Sequence, residues 1–168
     1  MTAEQRPARQ PSGIRDVTCG EGVRVVEPVN LYGCELGDRC FVGPFVEIQS
    51  GVRIGAGTRV QSHAFICEGV QIGRDCFVGH GVVFINDRFA EGRPAGGRRE
   101  LWQPTRIADR VSIGSNATLL PVSVCSDVVI GAGAVVTRDI TRPGTYAGNP
   151  ARRLEKDASP DPARDSEA

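Results

Sequence analysis

The chain has 168 residues, with 20 Lys and Arg against 20 Asp and Glu and a formal net charge of zero at pH 7. That length supports one domain with a real core and not two. The balanced charge argues against a nucleic-acid surface or a polybasic membrane patch, and no apolar run approaches the span of a bilayer.

In chain order, residues 1–22 read as a polar, partly flexible N-terminal arm. Its opening, MTAEQRPARQPSG, lacks the apolar segment of a signal peptide, so a cytoplasmic protein is expected. The six cysteines (19, 34, 40, 67, 76 and 125) include no C-x-x-C pair. That spacing disfavours a zinc ribbon or a thioredoxin-like site and predicts reduced thiols.

From Asn30 the chain repeats in sixes: NLYGCE, LGDRCF, VGPFVE, IQSGVR, IGAGTR, VQSHAF, ICEGVQ, IGRDCF, VGHGVV, FINDRF. After the first unit every opening residue is large and apolar: Leu36, Val42, Ile48, Ile54, Val60, Ile66, Ile72, Val78 and Phe84. The fifth place is small or β-branched and includes Cys34, Cys40, Thr58 and Cys76. Places five and one lie two residues apart, so both point to the same side of a short strand. An inward pair, a corner and another inward pair describe a coil of strands that is buried only by stacking on the next coil. The three cysteines at place five then read as small core residues. Glycine recurs at place two, as in Gly37, Gly43, Gly55, Gly73 and Gly79, and suggests a corner that needs positive φ.

The rhythm stops at 87–106, where Arg88, Arg93, Arg98, Arg99, a PAGG run and Trp102 replace it. A solenoid ejects a loop at a corner, and such loops gather on a binding face. The period resumes as IADRVS, IGSNAT, LLPVS, VCSDVV, IGAGAV. The unit LLPVS is one residue short and contains Pro121, which predicts a tightened corner. Residues 155–168 are polar and Pro-bearing and are expected to be disordered.

These hexads resemble the left-handed parallel β-helix of the hexapeptide-repeat acyltransferases, over roughly Val25 to Leu154. The resemblance implies an all-β solenoid at 23–154 with one ejected loop, three hexads to a coil, and residues eighteen apart stacked about 4.8 Å from each other. More narrowly, CFVGPFVEIQ, SHAFICEGVQIGRDCFVGHGVVFINDR, SNATLLPVSVC and YAGNPARRL are similar to the UDP-2-acetamido-3-amino-2,3-dideoxyglucuronate N-acetyltransferases.

That likeness implies a homotrimer and an acetyl-CoA-dependent N-acetyltransferase acting on the 3-amino group of a nucleotide sugar, without a metal. It also implies that the ejected loop closes the active site toward a neighbouring subunit. Asn86 is then a positioning residue, with His80 and His63 as candidate proton acceptors in the range where histidine titrates. Glu68 stacks one coil from Asn86, and Ser62 one coil from His80. Asp87, Arg88, Arg98 and Trp102 are candidates for substrate binding. The coenzyme would run past Asn116, Gly131, Ala132 and Ala134, whose small side chains allow close approach, toward Arg138, Arg152 and Arg153 as phosphate partners.

Three other readings compete. An O-acetyltransferase of the same fold would depend more on a base, because a hydroxyl is rarely ionised at neutral pH. A carbonic anhydrase of similar fold uses three zinc-binding histidines, and this chain has two. A structural β-helix leaves the Arg/Trp loop without a purpose.

Overall fold

The structure, a computed structural model, describes residues 11–155. It is a left-handed parallel β-helix made almost wholly of two- and three-residue strands. Three sheets of seven, six and eight strands form the walls of a triangular prism, parallel except for the final pair Gly144–Ala147 and Arg152–Arg153, and up to Val135–Val136 consecutive strands go to successive walls. In the first sheet Leu31 stands over Ile48, Ile48 over Ile66 and Phe84 over Leu119. Among the described residues no helix is long and apolar enough to cross a membrane.

Every opening residue of the repeat, from Leu36 to Ile130, is at most 4% exposed, and every place-five residue from Cys34 to Val82 is buried. Thr58 is the polar member of that inner stripe. Its hydroxyl donates to Gly73 O at 2.8 Å and accepts from Cys76 N at 3.0 Å, so nothing polar is stranded in the core.

Three sequence expectations change. The coil begins at Ile14, inside the stretch expected to be an arm, because Ile14 pairs with Leu31 and Thr18 with Glu35. The ejected loop ends at Pro104, since Thr105 and Arg106 are already paired with Val70 and Gln71. The place-two glycines do not hold positive φ. They are needed because a Cβ there would run into the next coil: 2.6 Å from Ala56 N at Gly37 and 2.5 Å from Gly73 C at Gly55. Positive φ belongs to place four, at Arg39, Phe45, His63, Asp75 and Asn116 as well as Gly51, Gly57 and Gly81. Residues 1–10 of the expected arm and 156–168 of the expected tail lie outside the described residues.

The irregularity is confined to one edge. Between the first and second sheets, Leu31 to Leu36 is five residues, Ile48 to Ile54 six, Phe84 to Ile107 twenty-three, Leu119 to Val124 five and Val136 to Ile140 four. Between the second and third sheets, and between the third and the first, the step from one inward residue to the next stays six in every coil from Leu36 to Val136. We call the variable edge the loop edge. The edge between the third and first sheets, which carries both histidines, is the histidine edge.

Candidate active site

On the histidine edge, places three and four of each hexad project outward from the corner. Place three holds Pro44, Ser62, His80, Ser115 and Ala132, and place four holds Phe45, His63, Gly81, Asn116 and Gly133. Because coils stack at strand spacing, each residue meets its counterpart one coil away. Ser62 Oγ lies 2.7 Å from His80 Nδ1, which fixes the imidazole and leaves Nε2 without a partner among the described residues. His63 stacks on Phe45, with ring centroids 4.8 Å apart and 16° between planes. Asn116 N donates to His80 O at 2.7 Å. A Cβ on Gly81 would lie 2.4 Å from Asn116 Oδ1, so the Asn116 carboxamide covers that bare position.

Further along the same edge, Gly131 approaches Ala147 closely, while a Cβ on Gly133 would meet nothing within 4 Å. The wall beside Ala132 is therefore low and open. Ala134 is fully buried and its side chain belongs to the core, so it offers a ligand no surface. The edge leads to the end of the prism, where Arg138, Arg152 and Arg153 line a cavity of about 200 Å³ together with Tyr146.

The loop edge holds the remaining candidates. Asn86 forms the neck of the loop: its Nδ2 donates to Glu68 O at 3.0 Å, and its carbonyl accepts from Gln103 N at 2.9 Å. Asp87 organises the loop interior by accepting from Phe89 N at 2.9 Å and Ala95 N at 2.7 Å. Arg88 donates to Pro121 O at 2.5 Å, Arg99 pairs with Glu68 at 3.2 Å, and Arg98 forks onto Glu91 at 3.0 and 2.6 Å. Arg98 holds the Glu91 carboxyl below its ordinary range, the effect expected of a charge-assisted pair. Trp102 sits half-buried at the base, its backbone N–H donating to Arg99 O. Arg88 and Arg98, both candidates for substrate binding, thus each hold a bond within the chain.

The candidates therefore fall into two groups. His63, His80, Asn116, Gly131 and Ala132 share the histidine edge, while Glu68, Asn86, Asp87, Arg88, Arg98 and Trp102 share the loop edge. His80 precedes the strand Val83–Phe84 and Asn86 follows it. The six-residue stretch between them crosses the first sheet and spans at most roughly 20 Å. A groove of about 620 Å³ on the second sheet, lined by Gln71, Arg106, Ser123 and Asp139, lies on the wall opposite the histidines and touches none of these candidates. Phe45 was not singled out from the sequence, although its place eighteen residues before His63 marks it as a stacking partner. Among the described residues no three of His, Cys, Asp or Glu gather as a metal-holding group.

Residues 33–68 match the bacterial transferase hexapeptide family (six repeats), and 104–138 match the hexapeptide repeat of succinyl-transferase. The bifunctional protein GlmU of Alkalilimnicola ehrlichii is 32% identical over 145 residues, which is 75% of this chain and 29% of that protein. The chain thus spans under a third of the length of that curated relative. A hexapeptide-repeat acetyltransferase from Vibrio cholerae, solved with acetyl-CoA, is 26% identical with a TM-score of 0.61, covering 73% of this chain and 70% of that one. A perosamine N-acetyltransferase from Caulobacter crescentus, solved with CoA and GDP-perosamine, shares the fold at 20% identity and a TM-score of 0.57, covering 85% of this chain and 57% of that one.

Proposed function

We propose that the chain is a hexapeptide-repeat acyltransferase, as its two family matches support, and that it transfers acetyl from acetyl-CoA to the 3-amino group of a nucleotide-linked amino sugar, UDP-linked by its likeness to the glucuronate N-acetyltransferases. The observation that carries this is the layout of the histidine edge. The Ser62–His80 pair stands at one end, the bare stretch Gly131–Gly133 follows, and Arg152 and Arg153, joined by Arg138 from the last step of the loop edge, line the cavity at the far end of the prism. That sequence of features suits a thioester, a slender pantetheine arm and coenzyme phosphates in turn. The bound GDP-perosamine of the Caulobacter fold neighbour supports a nucleotide sugar as the acceptor class.

In this reading the neutral amine attacks the thioester carbonyl, forming the C–N bond and a tetrahedral oxyanion. Collapse breaks the C–S bond and releases the coenzyme thiol. The protein mainly orients the two reactants, which is worth more here than base strength because the thioester is already activated. In this proposal His80 Nε2 takes the proton that the amine loses; the Ser62 contact at Nδ1 supports that role by fixing the ring. Asn86 positions the amine from the other edge. A site needing both edges is closed only when two subunits meet, so a homotrimer is part of the proposal.

The test is thiol release from acetyl-CoA with a panel of UDP- and dTDP-linked 3-amino sugars and their 3-hydroxy counterparts. Release is expected with the amines alone. Release with hydroxyls alone would make the chain an O-acetyltransferase, and no acetyl-CoA binding would end the reading. In His80→Asn, the acidic limb of kcat/KM against pH should survive, because it belongs to the substrate amine. Its loss in this variant would make His80 an obligatory base.

A further inference from the structure

Phe45 is 56% exposed, although a phenylalanine side chain ordinarily stabilises a fold by being buried. Nothing in the coil requires an aromatic residue there. The same place on the same edge is His63 in the next coil, and glycine or asparagine after it, at Gly81, Asn116 and Gly133. Both Phe45 and His63 hold left-handed backbone, with φ of 61° and 64°, which brings their rings into a parallel stack instead of splaying them.

Beside Phe45 lies a cleft of about 250 Å³ bordered by Ser12, Pro28, Asn30 and Glu47. Asn30 and Glu47 are register partners on neighbouring strands of the first sheet. Asn30 Oδ1 accepts from Arg15 at 3.3 Å, and Glu47 Oε1 accepts from Gln49 at 3.1 Å. The Asn30 amide N–H groups and the second Glu47 oxygen have no partner among the described residues. One wall is therefore a flat aromatic face held in place by a second ring, and the side is an amide donor beside a carboxylate acceptor. A planar ring with N–H and carbonyl groups on its rim matches both.

We propose that Phe45, backed by His63, is a stacking platform for a nucleobase, whose edge meets Asn30 and Glu47. This rests on the nucleotide-sugar reading above. The platform lies two coils before His80, about 10 Å along the axis, and away from the arginine end. That side suits the acceptor's base; the coenzyme's adenine is the other source of such a ring.

The test uses the full chain as wild type, Phe45→Leu and Phe45→Trp. Calorimetry with UMP, dTMP, GMP, AMP and ribose 5-phosphate should show the preferred mononucleotide losing about five- to a hundredfold in affinity in Phe45→Leu and recovering it in Phe45→Trp, with ribose 5-phosphate unchanged. A matching rise in KM for the nucleotide sugar alone assigns the ring to the acceptor; a rise for acetyl-CoA alone assigns it to the coenzyme. Equal mononucleotide affinity in wild type and Phe45→Leu, or no binding to wild type, overturns the platform. So does loss of assembly in Phe45→Leu, which would make Phe45 an interface residue. If wild type turns over nucleotide sugars and both KM values ignore Phe45→Leu, the platform fails and the acetyltransferase reading stands. If no nucleotide sugar is acetylated yet mononucleotides still need the ring, the platform stands alone.

Discussion

Burial decides what each cysteine can do. All six thiols are free, with Cys34, Cys40, Cys67 and Cys76 buried and Cys19 exposed. Desolvation pushes Cys34 and Cys67 up to about 11 from an ordinary 9.0, because a thiolate in the coil would lose its water. A thiol whose folded pKa is raised contributes stability that is whole below the unfolded value and is lost as pH rises through the folded one. Stability should therefore fall between about pH 9 and 11, by about 2–3 kcal/mol for each of these two thiols. Urea midpoints across that range should show the fall in wild type and a shallower one in a Cys34→Ala, Cys67→Ala double variant. Equal slopes would mean that the two thiols are not what the alkaline limb reports. Cys34, Cys40 and Cys76 are readable from the repeat as core residues, whereas Cys67 is not, because it follows the inward Ile66 and should point outward. Only the packed structure shows that it is buried at 3% exposure.

At the scale of the element, a corner is either rigid or permissive according to its edge. Two edges keep six-residue steps because place-two glycines press one coil's backbone against the next, leaving no room for a longer turn. The loop edge already accepts steps of four, five, six and twenty-three residues. One extra glycine after Gly51, on the loop edge, should cost less than about 1 kcal/mol, while one after Gly57, between the second and third sheets, should cost about 3 kcal/mol or more. Thermal melts of the two insertions compare them directly; similar losses would show that the edges do not differ. The short unit at Pro121 fits this pattern, since it falls on the loop edge and its carbonyl receives Arg88 from the ejected loop.

For the whole molecule, the consequence of a triangular prism is separation. A sheet stands between His80 and Asn86, and no corner can fold one edge onto the other. If neighbouring subunits close the site, two inactive variants should repair each other. Asn86→Ala removes the positioning group on the loop edge, and Ala132→Trp blocks the open stretch on the histidine edge. Refolded together, they should form mixed assemblies in which some sites pair two intact edges, and acetyl transfer should return to about a quarter of wild type, against a tenfold to thousandfold loss in each alone. No recovery in mixtures shown by mass to be mixed would place the whole site within one chain.

The inward stripe, the solenoid and the position of the interruption are legible in the amino-acid order alone. Each depends on residues six or eighteen apart, and the side-chain alternation of a strand carries that spacing directly. The pairing of Ser62 with His80 was legible for the same reason, since it is one coil of arithmetic. Three things needed the tertiary structure. The role of Gly37 and Gly55 depends on how closely the next coil approaches, which local backbone preference does not reveal. Sequence offers Arg88 and Arg98 as substrate-binding candidates without showing their partners, but Pro121 O and Glu91 engage them, and Glu68 engages Arg99, once the loop folds back. The division of the candidate residues between two edges follows from the closed cross-section. A period says which residues share an edge, and only the prism says that two edges cannot meet within one chain.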